Sequence, residues 1–516
     1  MNPSGAVPPH PQTVRSATSR LLEAVAVLAL LCLGLGVRLI DLTDAPLDFH
    51  GWRQLRSACI ARSIYYQHLP SADPGIRDRA VALGRIHEQL EPNILETLVA
   101  YTYLLVGGEH LWIARLYAIL FWLLGGWFLY LLGRRMVSGA AALVGLAYYL
   151  FLPFGVIGSR AFLPEPLMIS WILIALYSLY EWSVLRSWKW AIVAGIASGL
   201  AILVKVFAVY LVACGAGALV LACWRPRRAF ADPQVWLVFG LMAIIPSYYY
   251  IFGAGGHRAA GYLAGTVFSV WHLLLEPKQY ALWLHFVDTL LFAPFVLAGT
   301  AAVLILPARQ RAFSIGLWIG YAFLGLSLPL LIRTHSYYDL ILVPVVGLSL
   351  VPLAGIFLSR LCQQSGLWRV LFCAIFLVAV AFPSATVYRT LMDHDYRLEA
   401  PTFRRIGEVL PEGRLIGLTH DYNNRLAYYG WRAIVQWPHA TDMETLRAQG
   451  GSADPNDPQL REEFASRIQG YDFFVVTLWG ELDAQPVLKS ILYDSYPIYV
   501  QGDEYIVFDL RGQAEQ

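Results

Sequence analysis

Residues 21–54 read LLEAVAVLALLCLGLGVRLI followed by DLTDAPLDFHGWRQ, and the change of character at residue 41 decides the fold. The first part is an almost wholly apolar run of about 20 residues, the length at which a helix crosses a bilayer. The second part ends in Asp48-Phe49-His50-Gly51-Trp52-Arg53, which packs acid, imidazole, indole and guanidinium groups side by side. Arg15 and Arg20 precede the run like the basic flank of a signal peptide. No small-x-small cleavage site follows, so a retained first helix behind a cytoplasmic tail, 1–20, is expected.

The alternation continues along the chain. Of 516 residues, 57% are hydrophobic and only 14% charged, whereas a soluble domain carries about a quarter charged residues. Lipid is therefore the expected solvent. About eleven spans satisfy the ~20-residue criterion, near 21–40, 114–133, 138–157, 164–182, 190–204, 206–223, 234–253, 282–306, 313–332, 338–358 and 368–388. Residues 190–223 read either as one long helix or as two; Lys205 at the break favours two. With the N-terminus inside, Arg134-Arg135, Arg186 with Lys189, Arg225-Arg227-Arg228, Arg309-Arg311 and Arg360 with Arg369 all fall in cytoplasmic loops, as the positive-inside rule requires. The expected fold class is an α-helical polytopic membrane protein, 21–388, in a bacterial plasma (inner) membrane. No long basic run points to nucleic acid.

The other loops are expected outside. Loop 41–113 is too long for a connector; 54–67 is amphipathic at helical spacing, and 93–106 suits an interfacial helix. Residues 254–280 form a second irregular outer loop. Beyond 388 the composition turns polar, and 414–418, 433–437, 473–478 and 496–510, split at Gly502-Asp503, read as strands. A small soluble α/β domain, 389–516, is expected outside the membrane. Of the six cysteines only Cys59 would face an oxidising compartment, so no disulfide framework is expected.

The chemical candidates gather at the outer ends of spans. Asp48 suits a general base; the plainer reading is a helix cap. Glu165, held between Pro164 and Pro166, sits where an unpaired carboxylate is costly; the alternative is an ion pair with Arg160. Glu91 before Pro92 suits a sugar hydroxyl, or merely a helix N-terminus. Arg333, His335, Tyr337 and Tyr338 suit an anionic phosphate, or an interfacial aromatic belt with a basic flank. Lys205, among apolar residues, suits either a ligand contact or a snorkelling anchor. Arg53, Arg160 and Lys205 together would seat a phosphate. His50 belongs to the Asp48 cluster. His335 has no paired ligand spacing, so no metal site is assigned. Walker, Rossmann and His-Glu-x-x-His motifs are absent from the sequence.

These residues resemble the C-type membrane glycosyltransferases of the dolichyl-phosphate-mannose–protein mannosyltransferase kind and the bacterial lipid A aminoarabinose transferases. The likeness covers the layout of about the first 390 residues. It rests on Asp48 after the first span, Glu91-Pro92, Arg160-x-Phe162-x-Pro164-Glu165-Pro166, and His335-Ser336-Tyr337-Tyr338 before a span bearing Pro344. Tyr428-Tyr429-Gly430-Trp431 after a strand is also similar. The resemblance implies a polyprenyl-phosphate sugar donor, transfer with inversion, Asp48 as base, and the cations holding the phosphate leaving group. Protein mannosyltransferases carry Asp-Glu in the first loop; here Asp48 precedes Phe49, which weakens the case for a protein acceptor over a lipid or glycan one. No cofactor is expected, and a divalent metal is left open. The rival class is a transporter or flippase of lipid-linked saccharides, which would place polar groups and broken helices at the midplane.

Overall fold

The computed structural model describes residues 17–87, 91–253, 270–440, 442 and 460–512. Most of the expected tail (1–16) and of the expected loop 254–280 (254–269) lies outside them. Helices occupy every segment expected to span. Five of them, Arg20–Leu39, Leu111–Met136, Glu165–Leu185, Ser336–Leu361 and Gly366–Asp393, are long and apolar enough to cross a membrane. The segment 190–223 is two helices, Trp188–Val204 and Ala208–Cys223, with Lys205 extended between them.

Two expected spans are not single helices. Gly139–Phe151 stops at Leu152 (φ −57°, ψ 122°), and Pro153 opens the short helix Pro153–Gly158. Proline clashes with a helical residue before it and lacks the N–H the helix needs. The segment expected as 282–306 bends by 98° between Pro277–Leu291 and Ala293–Val303, where Phe292 takes φ 60°. The straight membrane helix 338–358 also needs correction: it begins as a 3-10 turn, Ser336–Ile341, before Leu342–Leu361.

The helical body packs around one apolar core that includes Trp122, Leu173, Leu211, Phe313 and Val346. Without a hydrophobic drive between helices in lipid, close approach has to come from small residues. Gly145 and Gly347 supply it: a Cβ on Gly145 would lie 2.5 Å from the Gly347 carbonyl oxygen. A second core, with Leu55, Tyr65, Val99, Tyr103 and Phe162, holds the helices Gly51–His68 and Ile94–Val106 of the first long loop against the body.

The C-terminal region forms a five-stranded sheet in the order β2-β1-β3-β5-β4, with β1 Leu415–Leu418, β2 Ile434–Gln436, β3 Phe473–Val476, β4 Ile498–Gly502 and β5 Tyr505–Asp509. β1 runs parallel to β2 and β3; β5 is antiparallel to β3 and β4. Side chains alternate between faces. Ile416, Leu418, Phe474 and Val476 pack with Phe464 and Ile491 on one face, and Leu415, Phe473 and Val475 pack with Phe403, Ile406 and Leu426 on the other. This domain is pinned to the first long loop by Arg62. Its guanidinium bonds Glu109 (2.8 Å) and the Tyr428 carbonyl, and lies between the Tyr428 and Trp431 rings at 3.9 and 4.2 Å.

Candidate active site

Asp48 reaches its position through a backbone turn. His50 takes a left-handed conformation (φ 48°), and its carbonyl accepts from the N–H groups of Arg53 and Gln54, starting the helix Gly51–His68. Gly51 is required here, since a Cβ would stand 2.9 Å from Leu47 and 3.1 Å from an Asp421 oxygen. Asp48 and Arg53 flank the turn, and each joins its own charge cluster.

In the first cluster, the Asp48 Oδ1 accepts from Arg115 Nη2 (3.2 Å) and Gln54 Nε2 (3.4 Å). Among the described residues its Oδ2 has only a 3.9 Å approach from Arg160. Asp48 lines a cavity of ≈ 80 Å³ with Asp41, Asp44, Arg115, Arg160 and Tyr396. Arg160 donates to the Asp41 carbonyl, and Arg115 to the carbonyls of Asp41, Leu42 and Ala45. Burial and the neighbouring Arg115 push Arg160 down to about 10, against the pull of Asp48. The helix-cap alternative for Asp48 does not describe this geometry: its side chain bonds the side chains of Gln54 and Arg115.

The second cluster is also largely buried. Lys205 hydrogen-bonds Glu165, both being almost fully buried, and lies 3.5 Å from Glu91. Arg53 is 3.5 Å from the same Glu91 oxygen. The alternative Arg160–Glu165 pair is replaced: Arg160 turns toward Asp48, and Glu165 takes Lys205. Tyr337 faces both cations, 5.0 Å from Arg53 and 4.9 Å from Lys205, and Tyr338 lies 5.1 Å from Lys205. Burial alone would raise Glu91, but Arg53 and Lys205 hold it down at about 2. Burial opposes the charge on Arg53, yet Tyr337, Glu91 and Glu165 raise it well above its ordinary value.

His50 bonds Ser336 Oγ (2.9 Å) and stacks with His335 at 6.3 Å. Burial, then Arg53 and Lys205, depress His50 to about 4. Burial, then His50, Arg53 and Lys205, do the same to His335. Arg333 is not brought into either cluster. It is half-buried on the turn Leu331–Arg333, and makes no ion pair or side-chain hydrogen bond among the described residues.

The structure also assembles residues that sequence reasoning passed over: Arg115, Asp41, Asp44, Gln54 and Tyr396. Arg115 carried the one available signal, an arginine inside an apolar helix close to its N-terminus, which is costly without a partner. Among the described residues no three His, Cys, Asp or Glu side chains group as a metal site.

Residues 92–250 match the sequence profile of the dolichyl-phosphate-mannose-protein mannosyltransferase family. No curated protein matches the sequence. Among solved structures, ArnT from Cupriavidus metallidurans bound to undecaprenyl phosphate shares the fold at a TM-score of 0.55 and 15% identity, over 96% of this chain and 98% of that one. The oligosaccharyltransferase AglB from Archaeoglobus fulgidus, in complex with an inhibitory peptide and a dolichol-phosphate, shares it at 0.55 and 12%, over 97% and 75%. The mycobacterial arabinofuranosyltransferase AftD shares it at 0.50 and 15%, over 96% of this chain but 42% of its own length. The chain thus has the C-type glycosyltransferase fold expected from its residues, with the small sheet domain after the helical body.

Proposed function

We propose that this protein is an inverting glycosyltransferase that moves a sugar from a polyprenyl-phosphate carrier to a glycan, lipid or protein acceptor of the cell envelope. The observation that carries the reading is the division of labour at the His50 turn. A carboxylate with a free oxygen edge, Asp48, lines a cavity on one side. Two buried cations with loose 3.5 Å contacts to a shared carboxylate, Arg53 and Lys205, lie on the other. The carriers bound to ArnT and AglB, undecaprenyl phosphate and dolichol-phosphate, supply the matching ligand chemistry.

The steps follow from the groups present. Asp48 takes the proton of the acceptor hydroxyl or amine as that atom attacks the anomeric carbon. The bond from that carbon to the phosphate oxygen breaks on the opposite face, which inverts the centre. Arg53 and Lys205 hold the charge that gathers on the departing polyprenyl phosphate, in surroundings where such contacts exceed their worth in water. Neutral His50 and His335, with Tyr337 and Tyr338, offer hydrogen bonds to the sugar or phosphate. Glu165 holds Lys205 in place.

The transporter reading has one structural feature in its favour, two broken helices. The breaks at Leu152 and Phe292 line a cavity of ≈ 160 Å³ whose other walls include Val144, Phe295, Phe376 and Val380, with no charged side chain. A solute path would need polar groups there, so the enzyme reading is kept.

In the proposed topology the Asp48 end and residues 389–516 face outward from a bacterial plasma membrane, and the N-terminus and Arg134 face the cytoplasm. Cysteines placed in 400–510 should label from outside and one beside Arg227 from inside; the reverse would invert the assignment. For activity, the protein in nanodiscs is incubated with polyprenyl-phosphate hexoses and pentoses, and free polyprenyl phosphate is measured by mass spectrometry. Release with one donor supports the reading. No release and no binding of any donor would sink it.

A further inference from the structure

The C-terminal sheet has a feature that the transfer chemistry at Asp48 does not use. In an open sheet with parallel strands, successive connections that leave a strand toward opposite neighbours open a crevice at the carboxyl ends. β1 has β2 on one side and β3 on the other, both parallel to it. The structure has a cavity of ≈ 620 Å³ at that point, lined by His420 after β1 and by Thr477 and Trp479 after β3. Glu399, from the helix Glu399–Val409, and Asp503 and Glu504, from the β4–β5 turn, close it.

We propose that this crevice is the acceptor subsite and that it takes a neutral, hydroxyl-rich saccharide; this rests on the glycosyltransferase reading above. Three observations carry it. The first is the lining. Trp479 supplies an indole face for the C–H side of a pyranose ring, and carboxylates accept from sugar hydroxyls. His420 donates or accepts: its Nδ1 is fixed by Thr477 Oγ1 at 2.9 Å, and its Nε2 has no protein partner among the described residues. Burial, followed by Arg425, keeps this imidazole neutral, near 4.

The second is charge. Four carboxylates line the crevice, but Asp395 pairs with Arg397 (3.0 Å), Glu399 with Arg425 (2.5 Å) and Glu504 with Arg405 (3.4 Å). Only Asp503 lacks a basic partner among the described residues. A strongly cationic ligand would find these acids already engaged, whereas sugar hydroxyls can still donate to their free oxygen lone pairs.

The third is position. The segment 394–399 is a shared wall: His394 and Tyr396 line the Asp48 cavity, and Asp395, Leu398 and Glu399 line the crevice. Arg425 ties Glu399 to Asp421, whose carboxylate lies against Gly51 at the start of the helix beyond the His50 turn. A saccharide held in the crevice is therefore separated from the Asp48 cavity by a single segment of chain.

The test uses the full chain in nanodiscs and two probes: short neutral hexose oligosaccharides, read by saturation-transfer NMR, and a lysine-rich peptide. Wild type is expected to bind the oligosaccharides and not the peptide. Trp479→Ala should weaken that binding about tenfold, Trp479→Phe should recover most of it, and Asp503→Asn, at an exposed turn, should weaken it about fivefold. Donor binding and donor release to water should be unchanged in all three, which also certifies folding. Peptide binding in place of saccharide binding, no saccharide binding by wild type, or wild-type affinity in both Trp479→Ala and Asp503→Asn would each overturn the subsite. Failure of wild type to bind any polyprenyl-phosphate sugar would instead overturn the reading of the Asp48 end.

Discussion

Both ends of the helical body carry arginine–carboxylate chemistry, but they hold it differently. At the Arg134 end, Arg134 pairs with Glu23 (3.4 Å) and Arg135 with Glu181 (2.8 Å), and both arginines are nearly half exposed, at 49% and 42%. Their carboxylates are buried while the cations stay in contact with water. At the Asp48 end the cations are buried as well: Lys205 and Arg115 are each 2% exposed, beside Glu165 at 1% and Asp48 at 13%. Snorkelled arginines lose little hydration. A buried ammonium loses it all, and its ion pair seldom recovers the cost. The Asp48 end therefore maintains an arrangement that stability alone does not favour, which is what the proposed active site requires.

That contrast can be broken by mutation. Asp48→Asn should lower turnover by about 10²–10⁴-fold, since it removes the proposed proton acceptor, while donor binding persists; near-normal turnover would remove Asp48 from the chemistry. Lys205→Ala leaves Glu165 buried without its partner and should cost about 3–5 kcal/mol of stability, read as a lower unfolding temperature in detergent. A variant as stable as wild type would mean that Glu165 finds another partner. Arg53→Ala should weaken binding of a polyprenyl-phosphate sugar by roughly ten- to a hundredfold, the worth of one charged hydrogen bond, with acceptor affinity unaffected.

Acid should separate the two ends more gently. His50 and His335 have folded values near 4, below the ordinary 6.5. A depressed value means that the unfolded chain binds protons first, so the stability due to neutral histidine is complete above 6.5 and is lost as pH falls toward 4. Glu91, near 2 against 4.5, adds a further loss below 4.5. Unfolding temperature should fall from pH 6.5 to 4, and His50→Gln should flatten that slope; an unchanged slope would contradict the assigned burial. The smallest effect belongs to the Arg134 end, where Arg135→Ala should cost no more than about 1 kcal/mol once solvent screening is allowed for.

Much of this was legible in the residues, and the reasons differ by scale. Apolar runs set helix positions because lipid leaves the chain no alternative. Short runs rich in β-branched and aromatic residues, set off by turn residues, located all five strands, including the break at Gly502-Asp503. What escaped was tertiary. Pro153 and Phe292 break segments that are apolar for most of their length, and hydropathy does not register a bend. The Lys205–Glu165 pair joins residues 40 apart, so neither side chain announces the other. Arg115 was passed over because its acceptors are mostly backbone carbonyls about 70 residues away, which no local motif announces. Arg333 has the expected residue type and loop, but among the described residues it joins neither charge cluster.

The most direct measurement is a cryo-electron microscopy structure of the full chain in nanodiscs with a polyprenyl phosphate. The account predicts phosphate density within hydrogen-bonding reach of the Arg53 guanidinium or the Lys205 ammonium, at the Asp48 end. Phosphate density beside Arg134 and Arg20 instead, where a cavity of ≈ 390 Å³ also holds Glu23 and Tyr130, would contradict it.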